Sequence, residues 1–173
     1  NGVSDSRVDL TYLGPTVGAA ADYTDGQNTV YFESDWELDP SLLAVTYVWS
    51  LEDGTITAFD LAVNTADHDW STSGYTTAND LHNTITHEFG HALGLAHSEL
   101  ADASMYESTY EGETAKRDID TDDEHGMRYL YSRTAYEPEQ ASQSGGGCAT
   151  VEIRGGFWAG LLLLPALLFR RRA

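Results

Sequence analysis

The sequence predicts an α+β domain, and three observations carry that reading. Short runs between residues 8 and 63 alternate or cluster apolar side chains in the manner of strands. Apolar residues at helical spacing follow later, at Leu81, Ile85, Phe89 and Ala92, then at Met127, Leu130 and Tyr131. No segment repeats. Strands first and helices afterwards describe a sheet with helices packed on it, not an alternating parallel fold.

Residues 1–6 are polar and read as a frayed end. Arg7–Leu13 sets Val8, Leu10 and Tyr12 against polar neighbours, a half-buried strand that Gly14-Pro15 ends. A loop of small and polar residues follows and closes in Asp25-Gly26-Gln27-Asn28. Thr29–Phe32 is a second short strand, and Glu33–Ser41 an acidic loop containing Trp36 and Pro40. Leu42–Trp49 is the strongest strand signal. Asp53-Gly54 turns the chain and Thr55–Val63 returns as the hairpin partner. Asn64–Thr77 is a polar loop with Trp70 as its anchor. Asn79 or Asp80 can cap a helix that runs to about Gly94. Residues 98–117 are irregular around Met105. Asp122 or a neighbour caps a final helix through Tyr131, with Met127, Leu130 and Tyr131 toward the core.

The chemistry gathers in His87-Glu-Phe-Gly-His91-Ala-Leu-Gly94-Leu-Ala-His97. On a helix His87 and His91 stand at i and i+4, one turn apart on one face. Two imidazoles so placed can hold a zinc ion from one side. Gly94 suits a left-handed helix end, after which the chain can double back and deliver His97 as a third ligand. Three nitrogens leave an open coordination position, the arrangement of a catalytic rather than a structural zinc. Glu88 lies beside the first ligand, placed to take a proton from a water on the metal. An amphipathic helix with surface histidines accounts for the apolar stripe. It does not account for Gly94, His97 and Met105 together.

Composition narrows the function classes. The 173 residues suit one domain plus something smaller. A formal charge of −19 argues against unaided nucleic-acid binding and fits a secreted protein. Of nine basic residues, Arg154, Arg170, Arg171 and Arg172 lie near the C-terminus, so the rest is more acidic still. Cys148 is the only cysteine, which excludes a disulfide within the chain.

With those segments in place the chain resembles the matrixin branch of the metzincins, in its compact bacterial form. The resemblance covers about residues 8–131. It rests on the extended histidine motif with Ser98 directly after the third histidine, on Met105-Tyr106, and on Asp122-Asp123-x-x-Gly126-Met127-x-x-Leu130-Tyr131. Asp25-Gly-x-Asn-Thr-Val30, Leu43-Ala-Val-Thr46 and Asp60-Leu-Ala-Val-Asn64 match strands typical of bacterial members. The resemblance implies a twisted mixed sheet with an active-site helix and a C-terminal helix. It also implies a methionine turn at Met105 beneath the metal. Leu43–Val48 would be the sheet's edge strand, with substrate pairing to Ala44, Val45 and Thr46. Residues 106–110 would wall the pocket for the side chain after the cut bond. Glu107 departs there from the proline that commonly follows Met-Tyr. Only His68 and His82 precede the motif, so a single catalytic zinc is expected, with both of these as non-ligands; calcium stays open as a second ion. The first strand and long helix with which matrixin domains open are missing, so the domain reads as truncated before Asn1.

From Glu137 the composition turns to Pro, Gln, Ser and Gly. Gly145-Gly-Gly-Cys148, the 13-residue apolar run Phe157–Phe169 and Arg170–Arg172 follow. The run falls short of the ~20 residues of a full span. It resembles the tripartite sorting tails of Gram-negative bacteria, in which Cys148 would be the processing or lipid-attachment point. The expected organisation is a protease domain over 1–136, a linker over 137–147 and a sorting segment over 148–173, with transient membrane contact through the last. The expected function is a secreted or cell-surface zinc endopeptidase acting on protein or peptide. The competing class is a non-catalytic metzincin-like module that binds peptide or matrix.

Overall fold

The computed structural model describes residues 7–132. Five strands, β1 (Thr29–Glu33), β2 (Ala44–Ser50), β3 (Ile56–Asn64), β4 (Trp70–Ser71) and β5 (Asn79–Asp80), precede two helices, α1 (Leu81–Ala92) and α2 (Thr121–Tyr131). A single 3₁₀ turn, Ala115–Arg117, lies between the helices. The order of strands before helices is the α+β arrangement that the sequence predicts.

The main sheet has the order β1-β3-β2, with β1 parallel and β2 antiparallel to β3. It is therefore mixed. β2 and β3 form the expected hairpin, Ala44 opposite Val63 and Val48 opposite Phe59. Gly54 adopts φ 85° at the turn, and Leu51 N–H donates to Thr55 O at 2.9 Å. As the central strand β3 is buried from Phe59 to Asn64. Ala44, Leu61 and Val63 form the core, and Leu81, Ile85 and Trp70 pack against them. Trp70 also donates from its indole to Asn64 O at 2.8 Å, the anchoring expected of it.

Two fully buried polar residues on β3 tie loops to the sheet. The Asp60 carboxylate accepts from Asp22 N–H at 3.0 Å and Thr29 N–H at 2.8 Å. Asn64 donates to Leu42 O and Asp67 Oδ2 while accepting from Ala66 and Asp67 N–H. A buried polar group must find such partners, so each fixes its loop's path.

Two expectations fail, and the α2 cap, open between Asp122 and a neighbour, resolves to the neighbour. Arg7–Leu13 forms no strand: Leu10 is 53%, Tyr12 84% and Leu13 94% exposed. Among the described residues no strand is assigned to it, and Arg7 N–H bonds to Tyr131 O at 2.9 Å. The cap of α2 is Asp120, two residues before Asp122; its side chain accepts from Asp122 N–H. Met127 is buried as expected and Tyr131 donates from its hydroxyl to Leu93 O at 2.8 Å, but Leu130 is 42% exposed. Within the expected loop Asn64–Thr77, β4 pairs with β5 at the helix cap, an addition that two-residue strands do not announce in sequence. Among the described residues no helix is long and apolar enough to cross a membrane, and the 157–169 run lies outside them.

Candidate metal centre

α1 begins at Asp80, whose carboxylate caps Asn83 N–H at 2.9 Å and pairs with Arg117. One face of the helix packs on the sheet through Leu81 and Ile85, while Phe89 meets Phe59 edge to face at 6.0 Å. His87 and His91 stand on another face with ring centroids 4.8 Å apart. The helix ends at Leu93, Gly94 takes φ 90°, and Leu95 N–H returns to Gly90 O at 2.9 Å. That reversal carries His97 back over the helix. His91 Nε2 and His97 Nε2 lie 3.2 Å apart, and one nitrogen from each of His87, His91 and His97 falls within 4.8 Å of the others.

The donor chemistry fits a metal. His87 Nδ1 is 2.7 Å from Ser104 O and His91 Nδ1 is 2.9 Å from Leu95 O. A carbonyl only accepts, so both Nδ1 atoms carry the proton and each Nε2 presents a lone pair. Metal-binding histidines are fixed by outer hydrogen bonds of this kind. Tetrahedral ligands at ~2.0–2.1 Å from zinc stand about 3.3 Å apart, close to the His91–His97 separation. Burial favours the neutral, ligating form throughout. It pushes His87 down to about 4 and lowers His91 and His97 as well.

Glu88 is 8% exposed. Its Oε2 accepts from Thr46 Oγ1 at 2.7 Å. Burial raises its pKa, and the Thr46 hydrogen bond works against that rise. Met105 is 2% exposed and lies under α1: a Cβ on Gly90 would meet its sulfur at 2.1 Å. Gly90, between the two helical histidines, is thus the only size of residue that lets Met105 seat there.

The turn carrying Met105 has little regular structure and is held by polar anchors. Asp123 accepts from Ser104 N–H at 2.6 Å and Met105 N–H at 3.1 Å. Ser98 N–H donates to Met105 O. Lys116, 3% exposed, extends its ammonium to Tyr106 O and Ser108 O, and Asn83 Oδ1 holds its backbone N–H. Sequence reasoning missed Gly90, Lys116 and Asp123 as supports of the site; the one available signal was a lone lysine in a strongly acidic stretch.

Ala44, Val45 and Thr46 lie on β2, the end of the three-stranded sheet, with β3 on one side and no other strand among the described residues on the other. His68 bonds to Pro40 O at 2.9 Å and His82 is exposed on α1. Neither joins the cluster, the only group of its kind among the described residues. Cys148 lies outside them.

The model of the Matrixin family matches residues 28–132. Metalloendoproteinase 2-MMP of Arabidopsis thaliana is 40% identical over 73 residues, 38% of this chain and 19% of that protein. Metalloendoproteinase 5-MMP of the same plant is 34% identical over 104 residues, 51% of this chain and 29% of that protein. Interstitial collagenase of Bos taurus is 41% identical over 66 residues, 38% and 13% of the two lengths. The chain therefore spans less than a third of these relatives.

Proposed function

This chain belongs to the matrixin family, and we propose that it is a zinc-dependent endopeptidase hydrolysing peptide bonds in protein or peptide substrates. The observation that carries the proposal is the gathering of one nitrogen each from His87, His91 and His97 within 4.8 Å, with the buried Glu88 carboxylate next to His87 on the helix. His87, His91 and His97 would hold one zinc ion. Bound there, zinc supplies Lewis acidity, bringing the pKa of a coordinated water toward ~7 and polarising a carbonyl. Glu88 takes the proton from the attacking water and hands it to the leaving amine. Its burial suits this task, since desolvation raises the carboxylate's pKa and makes it a stronger base. Met105 supports the histidines from below without ligating. A substrate would extend the sheet along β2, its main chain antiparallel to Ala44–Thr46.

The binding-only alternative has no use for a buried base beside the ligands, and no observation favours it. The relatives' names, metalloendoproteinases and a collagenase, support cleavage. We further read residues 1–136 as the catalytic domain, 137–147 as a linker and 148–173 as a sorting tail processed near Cys148. That reading makes the protein secreted or surface-displayed in a Gram-negative bacterium.

The test is Glu88→Gln. The variant should retain one zinc per chain by elemental analysis and lose at least about a hundredfold in hydrolysis of a fluorogenic peptide. Chelator should abolish wild-type cleavage and added zinc restore it. Wild-type rates in the variant would refute the assignment of Glu88.

A further inference from the structure

We propose that Thr46 is a positioning residue for Glu88: its hydroxyl holds one carboxylate oxygen so that the other faces the reacting centre. The inference rests on the protease reading above and adds a side-chain role to a residue whose main chain is assigned to substrate pairing.

Thr46 Oγ1 lies 2.7 Å from Glu88 Oε2 and 3.1 Å from Glu88 O. The hydroxyl has one proton, and the closer, charged carboxylate takes it, with the carbonyl as the weaker branch. The Thr46 backbone also hydrogen-bonds the Glu88 carboxylate, more weakly, and no other side chain among the described residues donates to it. The carboxylate is thus divided: the Thr46 hydroxyl tethers Oε2 to the strand, and no side chain among the described residues donates to Oε1.

That division matters because glutamate is flexible. The helix restricts its first torsion but leaves the outer ones free. Threonine is stiff at χ1, and Thr46 is held in register opposite Leu61 on β3. A rigid donor on a rigid strand selects one glutamate conformer, and a proton acceptor works only when its geometry is fixed to within about half an ångström. The strand assigned to substrate and the base assigned to water are therefore joined by one hydroxyl.

Thr46→Val removes the hydroxyl at constant shape, and Thr46→Ser keeps it. Thr46→Val should lower kcat by about ten- to a hundredfold, the scale of a lost hydrogen bond to a charged group, with KM within about twofold. Zinc content should stay at one per chain and Tm within about 3 °C. Thr46→Ser should return kcat to within about threefold of wild type. Crystal structures of the zinc-loaded wild type and Thr46→Val supply a readout apart from activity: the Glu88 carboxylate should leave its wild-type position when the hydroxyl is gone. A Thr46→Val kcat within twofold of wild type, or equal losses in both variants, overturns the proposal. A loss of zinc together with kcat would reduce Thr46 to a structural tie and overturn it too. If zinc-loaded wild type cleaves no peptide, the protease reading fails separately. The two crystal structures still decide the positioning role, and an unmoved Glu88 in Thr46→Val rejects it.

Discussion

Residues 7–28 and residues 98–120 are both long stretches with almost no regular secondary structure, and they behave oppositely. The first exposes its large apolar side chains, with Tyr12 at 84% and Val17 at 95%. The second buries Ala103, Ser104, Met105 and Lys116 to 3% or less. Periodicity does not separate them, since the exposed stretch is the one with the alternating pattern. The difference is anchoring. Asp123, Lys116 and Asn83 each reach the second stretch with hydrogen bonds from a buried position. The first is tied at its ends, by Arg7 N–H to Tyr131 O and by Asp22 N–H to Asp60 and Phe59 N–H to Asn28, while bonds within it such as Thr24 to Asp22 and Gln27 to Asp25 are local and exposed. Irregular chain is ordered when buried polar groups demand specific partners.

The contrast can be broken most severely at Asp123. Asp123→Ala orphans two buried N–H groups, each costing about 1–3 kcal/mol. We expect about 3–5 kcal/mol of destabilisation in urea and weaker zinc retention. An effect under about 1 kcal/mol would mean that the Met105 turn orders itself. Gly90→Ala comes next. Its Cβ collides with the Met105 sulfur, and overpacking of this kind costs about 1–3 kcal/mol. Zinc affinity should fall with it, as measured by chelator competition.

A pH series addresses the same buried side. Burial lowers the three histidines, His87 to about 4. Below about pH 6.5 the unfolded chain binds protons that the folded chain refuses, so stability falls as pH falls toward 4. Asp80 is also lowered, chiefly by its hydrogen bonds from Arg117, and its contribution is lost only at more acidic pH. Thermal melts of chelator-treated protein should show the first loss between pH 6.5 and 4; a flat Tm there would mean solvated imidazoles. The smallest effect belongs to the other stretch. Leu13→Ser and Val17→Ser should each change stability by no more than about 0.5 kcal/mol, as exposed substitutions do. A loss above 1 kcal/mol would show that something covers them.

The sequence by itself determined the β2–β3 hairpin, the extent of α1, the histidine triad and the place of Glu88. All are local: a tight turn, a 3.6-residue period, and a fixed spacing ended by glycine, each written within about twenty residues. Tertiary structure alone decided that Leu10 and Tyr12 stay exposed, because an alternating pattern does not say which surface will cover it. It alone brought Thr46 to Glu88 across 42 positions, Met105 against Gly90, and Lys116 to the carbonyls of Tyr106 and Ser108. Those contacts join separate segments through single side chains. A hydroxyl or an ammonium has no period to betray its partner, and only the packed chain selects the one it meets.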